Sequence, residues 1–82
     1  MSDSIEVEID ASILALLRPQ KHWRKVAFIV GRAADALGNK IPDGDEGYQM
    51  VGQRIQALFD AGKVDVQGDI TQWRFSEVRI SN

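Results

Sequence analysis

Residues 48–80 read YQMVGQRIQALFDAGKVDVQGDITQWRFSEVRI. Within this stretch the apolar period changes from helical to extended, and that change decides the fold class. Tyr48, Val51, Ile55, Leu58 and Phe59 recur at three- and four-residue steps, the spacing of one helical face turned to a core. Gly62 is the expected C′ residue, and Lys63 favours the negative end of the helix dipole. Beyond it, Val64 and Val66 alternate with Asp65 and Gln67, which is strand chemistry. Gly68-Asp69 supplies a hairpin turn, with a loop reaching Gln72 as the wider alternative. The last strand is expected from about Gln72 to Ile80. Its phase changes midway: Trp73 and Phe75 share one face, Val78 and Ile80 the other. A strand cannot bury both pairs on one side without an extra residue, so a β-bulge or twist is predicted at Ser76-Glu77.

Upstream, Trp23, Val26, Ala27, Val30, Ala33, Ala34 and Leu37 form a second helical stripe, widened by Phe28 and Ile29. Gly38-Asn39 stops it. Residues 39–47 are turn chemistry, with Ile41 pinned to the core. Asp43 with Glu46 forms a candidate capping box for the third helix, and Asp45 is a rival N-cap. At the N-terminus, Ile5-Glu6-Val7-Glu8-Ile9 alternates strictly and predicts a half-buried strand. Asp10 then stands as the N-cap of a first helix of about two turns, carrying Ile13, Leu14, Leu16 and Leu17 and ending near Pro19.

These elements predict an α+β class: a winged-helix-like three-helix bundle with a C-terminal β-hairpin and an N-terminal strand that can join it. In that arrangement the third helix is the recognition helix and the hairpin is the wing. The N-terminal strand is out of order, because the usual short strand follows the first helix. If it pairs with the last strand, Glu6 and Glu8 lie across from Arg74 and Arg79.

The chain has 82 residues, read as a single small domain over 1–82 with an ordered core of about 5–80. A hydrophobic content of 44% places it among globular rather than disordered chains. So small a core leaves little net stability, which makes self-association a useful device. With no cysteine, disulfides, thiolate metal sites and cysteine nucleophiles are excluded, and a reducing cytoplasm fits. No apolar run reaches the roughly 18 residues of a membrane span, and MSDSIEVEID is too acidic for a signal peptide. A cytoplasmic location without membrane contact is the expectation.

Catalytic constellations are missing from the sequence. The one histidine, His22, sits between Lys21 and Trp23 and reads as an exposed residue at a helix start rather than a triad member. Asp43, Asp45 and Glu46 invite a calcium reading, but counting from Asp43 the sixth and twelfth positions are Tyr48 and Arg54, where an EF-hand needs glycine and glutamate. In Gly38-Asn39-Lys40 the lysine does not directly follow the glycine, so no phosphate-binding loop is completed. The chain is therefore read as non-enzymatic, with no catalytic residue, no metal site and no cofactor.

Two surfaces invite partners. Arg18, Lys21, Arg24 and Lys25 crowd the start of the second helix, where the dipole disfavours cations and an anion is welcome. The outward face of the third helix carries Gln49, Gln53 and Gln56, and glutamine can pair with an adenine edge. Gln72 and Arg74 sit on or near the wing. Together these are candidate anion or nucleic-acid contacts. Against them stand a net charge of −2, Asp60 beside the glutamines, and Asp65 and Asp69 on the wing. The plainer reading pairs the basic cluster with Glu6, Glu8, Asp10 or a partner protein. The second surface is apolar: Phe28, Ile29, Met50, Trp73 and Phe75 are hard to bury in so small a core and form a candidate protein-contact patch.

One block also resembles a known family. Arg54-Ile55-Gln56-Ala57-Leu58 through Gly62-Lys63, Gly68-Asp69, and Trp73-Arg74-Phe75-Ser76-Glu77-Val78-Arg79 are similar to an uncharacterised bacterial domain-of-unknown-function family, as is Trp23-Arg24-Lys25-Val26. The resemblance covers roughly residues 10–80; it implies a module often found at the C-terminal end of a longer chain, and no activity. The sequence thus predicts a binding or assembly module contacting an unidentified protein or a second copy of itself. The alternative is a winged-helix nucleic-acid-binding regulator.

Overall fold

The computed structural model describes residues 4–19, 21–69 and 71–81. Helix α1 spans Ser4–Leu17, so the expected strand at 5–9 is helix instead. The five-residue alternation is local, whereas Ile5, Ile9, Ile13 and Leu17 continue a four-residue row through the whole segment. Ile9, Ile13 and Leu17 are fully buried by that row, while Val7, inward in the strand reading, is 62% exposed. Burying each large side chain contributes about 1.5–3 kcal/mol. The helical cost of each β-branched residue is at most about 0.7 kcal/mol. The long-range row therefore wins. The helix is 14 residues, about four turns rather than two, and Asp10 lies inside it rather than capping it.

Strand β1, Arg24–Lys25, follows α1 and removes the anomaly in element order. Trp23 precedes it and lies outside the second helix, with its ring 4.4 Å from the Arg79 guanidinium carbon. Helix α2 spans Val26–Leu37 and buries Val26, Ile29, Val30, Ala33 and Leu37. Ala27 and Phe28 face outward. Gly38, at φ 54°, caps α2 and opens a short 3₁₀ turn, and Ile41 is buried as expected.

Helix α3 spans Asp45–Asp60. Its N-cap is Gly44 without a side-chain bond, so neither Asp43 nor Asp45 caps it. Asp45 and Glu46 instead occupy the first turn, where the dipole favours negative charge. Val51, Ile55 and Leu58 are buried, whereas Tyr48 and Phe59 lie on the margin of that stripe and stay exposed. The exit is a Schellman motif at the expected glycine. Gly62 N–H donates to the Phe59 carbonyl at 3.0 Å, and Lys63 N–H to Leu58 at 2.9 Å.

Strands β2, Val64–Gln67, and β3, Glu77–Ile80, form the hairpin, and the antiparallel sheet order is β1-β3-β2. Arg24 lies opposite Val78 and Lys25 opposite Glu77; Val66 lies opposite Val78 from the other side. Val64 and Val78 are buried under the helices. Arg79 and Asp65, cross-strand partners, form an ion pair of 3.3 Å on the outer face.

The expected bulge at Ser76-Glu77 is replaced by a 3₁₀ turn at Trp73–Phe75, and β3 starts only at Glu77. The change of phase is real, but the two pairs lie on different elements. Ser76 is buried and its carbonyl accepts from Val26 N–H at 3.1 Å, tying the turn to the start of α2. The whole is a winged-helix-like α+β arrangement around one core fed by all three helices and the hairpin.

Glu6 and Glu8 are not the described partners of Arg79, which pairs with Asp65, and the Arg74 half of that expectation lies outside the described side chains. Glu8 binds Lys40 at 2.6 Å, and Glu6 lies 3.6 Å from Arg54.

Candidate functional site

The outward row of α3 and the loop after β2 face each other. Gln49, Gly52, Gln53 and Gln56 follow one another at helical spacing and form one wall. Thr71, Gln72, Trp73 and Phe75 form the other, across an open groove of about 560 Å³.

The loop wall is built by local hydrogen bonds. Gly68 turns the chain at φ 87°. Asp69 Oδ1 accepts from Thr71 N–H at 2.9 Å and from Thr71 Oγ1 at 2.6 Å. Those two bonds hold the exposed Asp69 carboxyl below its ordinary range. Gln72 N–H donates to the Asp69 carbonyl and Phe75 N–H to Gln72, each at 2.9 Å, which winds the chain into the 3₁₀ turn.

The turn seats Trp73 on Gly52. A Cβ at position 52 would stand 2.2 Å from Trp73 Cζ2 and 2.7 Å from Cε2, so only glycine lets the indole lie on the helix. Phe75, two residues on, projects outward at 76% exposed.

Among the described residues, no ionisable side chain lines the groove. At one end Gln56 Nε2 donates to Asp60 Oδ1 at 2.9 Å, placing a carboxylate beside the glutamine row as expected. The groove offers amides, one hydroxyl and two aromatic rings. Such groups bind through contact and neutral hydrogen bonds, and the Thr71 hydroxyl is already donated to the Asp69 carboxylate within the turn.

The structure therefore joins residues that the sequence assigned to different surfaces. Gln49, Gln53 and Gln56, expected as nucleic-acid contacts, share the groove with Trp73 and Phe75 of the expected protein patch. The rest of that patch is elsewhere. Ile29 is fully buried in the core, because the helical stripe of α2 runs through it. Met50 is half-buried and packs against the core. Phe28 is exposed on α2, its ring between the guanidinium carbons of Arg24 at 5.1 Å and Arg32 at 5.6 Å.

None of Arg18, Lys21, Arg24 and Lys25 lines the groove. Arg24 and Lys25 are adjacent in a strand and so point to opposite faces of the sheet. Among the described residues, Arg18, Lys21 and Lys25 make no ion pair, and the carboxylates expected to neutralise them are engaged by Lys40 and Arg54. The Arg74 side chain lies outside the described residues.

Sequence reasoning missed Gly52, Thr71 and the Arg54 clamp. Gly52 did carry a signal, since a mid-helix glycine costs about 1 kcal/mol relative to alanine and so marks a close approach. The clamp carried none. Arg54 Nε and Nη2 each donate to Asp10 at 2.9 Å, joining residues 44 apart in the chain. This hydrogen bond, with the charges of Asp10 and Glu6, raises the Arg54 pKa above its ordinary value.

Among the described residues, no group of three or more histidine, aspartate or glutamate side chains is placed to hold a metal ion, and no helix is long and apolar enough to cross a membrane. Compared with known proteins, the chain matches no family model, no curated protein and no solved structure, which leaves the family resemblance of its Trp73–Arg79 block as an expectation from sequence.

Proposed function

We propose that this domain is a non-catalytic binding or assembly module that makes protein–protein contacts through the groove between α3 and the 71–75 loop. The observation that carries this reading is a lining whose described side chains are all uncharged, with an exposed phenyl ring standing at its edge. Interface cores are depleted in charge and enriched in aromatic side chains, and the described lining of this face has both properties in a chain of which 27% is charged. Phe75 and Trp73 are the anchor-type side chains of such a surface. The glutamines supply donors and acceptors for its rim.

A photo-reactive residue at exposed Gln53, introduced in cells, tests the reading. The expected product is a covalent adduct with a protein. An adduct with nucleic acid, or no adduct at any expression level, contradicts it.

A second reading has its own support. The element order is that of winged-helix nucleic-acid binders, with α3 presenting amides outward and Lys21 and Lys25 exposed. It is weaker because phosphates require cations, and among the described residues neither Lys nor Arg lines the groove. Retention on DNA or RNA at low salt that disappears when Lys21, Arg24 and Lys25 become alanine would favour this regulator reading.

A further inference from the structure

We propose that Asp43-Gly44 is a covalent modification site, where the backbone cyclises to a succinimide and reopens as isoaspartate, loosening the first turn of α3. The proposal stands independently of the protein-contact reading.

The reaction is an attack by the Gly44 nitrogen on Cγ of Asp43. The N–Cγ bond forms, the Cγ–OH bond of the protonated carboxyl breaks, and the amide proton leaves with that hydroxyl as water. Water then adds to one of the two ring carbonyls. Addition at Cγ restores aspartate. Addition at the backbone carbonyl carbon breaks its bond to the Gly44 nitrogen and leaves the chain running through the side chain.

The attacking nitrogen must be unhindered, its N–H unengaged and the carboxyl free to turn. Of the aspartates in the chain, only Asp43 precedes glycine, which has no side chain to obstruct the ring. Both residues are exposed, in the turn between Pro42 and the start of α3. Among the described residues, neither the Asp43 carboxylate nor the Gly44 N–H makes a hydrogen bond or ion pair.

The fold withholds other aspartates. Asp10 and Asp35 lie inside α1 and α2, where the following N–H is bound within the helix. After Asp60, the Ala61 N–H donates to the Ala57 carbonyl at 3.0 Å. Asp69 precedes the β-branched Ile70, and its carboxylate is engaged by Thr71.

The consequence follows from the local fit. Ile41 is buried in the core. A Cβ at Gly47 would stand 2.1 Å from the Pro42 carbonyl oxygen, so that carbonyl lies tight against α3. Isoaspartate adds one carbon to the main chain between Pro42 and Gly44, about 1.5 Å of extra path. Anchored at Ile41 on one side and in α3 on the other, the segment takes up that length by displacing Gly44. The Gly44 carbonyl accepts from Tyr48 N–H at 3.1 Å, in the first turn of the helix.

Ageing of the folded full chain in mildly acidic buffer, followed by proteolytic mapping and mass spectrometry, tests the proposal. The peptide containing Asp43 is expected to split into two species of equal mass, by way of an intermediate lighter by one water. The new species should resist an endoprotease that cleaves before aspartate. Asp43→Glu, whose longer side chain would need a six-membered ring, should abolish the conversion. In the isomerised fraction the Tyr48 amide should exchange faster with solvent, while Ile55, in the middle of α3, is unchanged. An Asp43 peptide that stays single on ageing overturns the proposal, as does equal conversion at Asp10 or Asp60. An isomer that forms with Tyr48 protection unchanged overturns the coupling to α3.

Discussion

The two polar flanks of α3 are built on opposite principles. On one flank Arg54 is partly buried and bonded twice to Asp10, with Glu6 nearby, so its charge is balanced within the fold. On the other, Gln49 and Gln53 are exposed, and the helix accepts a glycine at position 52 to seat Trp73. The first flank closes α1 onto α3. The second keeps donors, acceptors and aromatic surface available to something outside. One helix thus separates what stabilises the domain from what the domain presents, and substitutions on the two flanks should separate in the same way.

The largest expected effect breaks the groove flank through its floor. Gly52→Ala gains about 1 kcal/mol of helix propensity. Its Cβ collides with the indole, however, and overpacking of this kind costs about 1–3 kcal/mol. The Trp73 ring should leave α3, seen as a red-shifted, more quenchable tryptophan emission. An unchanged Trp73 environment would mean that the indole is not seated on Gly52.

The next effect breaks the clamp. Arg54→Ala leaves a partly buried carboxylate without its bidentate partner and should lower stability by about 1–3 kcal/mol in chemical denaturation. Gln53→Ala, on the exposed flank of the same helix, should stay within about 0.5 kcal/mol of the parent. Equal losses from the two would erase the distinction between the flanks.

The smallest effect sharpens the loop wall. Asp69 is held below its ordinary 3.8 by the Thr71 bonds. A depressed native value means that its contribution to stability is present above the unfolded pKa and is lost as pH falls through the native one. The Thr71 amide resonance should therefore titrate with a midpoint below 3.8, and Asp69→Ala should abolish that titration. A midpoint at or above 3.8 would show that the turn does not hold the carboxylate.

The same contrast explains what was legible in the sequence. α2 and α3 are legible because their apolar periods are long and end at glycines; β2 is legible from the Val64-Val66 alternation before Gly68, whereas β3 begins at Glu77 rather than near Gln72. Gly38 and Gly62 end α2 and α3 at positive φ, as expected. The first element is less legible, because a five-residue alternation competes there with a row of four-residue steps from Ile5 to Leu17, and the longer row governs. The burial of Ile29 is not legible in the sequence, because the width of a buried stripe depends on the elements that pack around α2 and not on the helix alone. The glutamine row was readable from helical phase. Its pairing with Trp73 and Phe75 was not, because a 3₁₀ turn rather than a bulge carries the chain back across α3.

The central claim is that the groove, and not the basic start of α2, is the surface this domain uses. Backbone and side-chain amide spectra recorded with and without the protein captured at Gln53, and with and without an unrelated duplex DNA, test it most directly. The account predicts that the captured protein shifts Gln49, Gln53, Gln72, Phe75 and the Trp73 indole, with Asp10 and Arg54 quiet and no response to DNA. Shifts at Lys21 and Lys25 on adding DNA, with the groove resonances silent throughout, would contradict it.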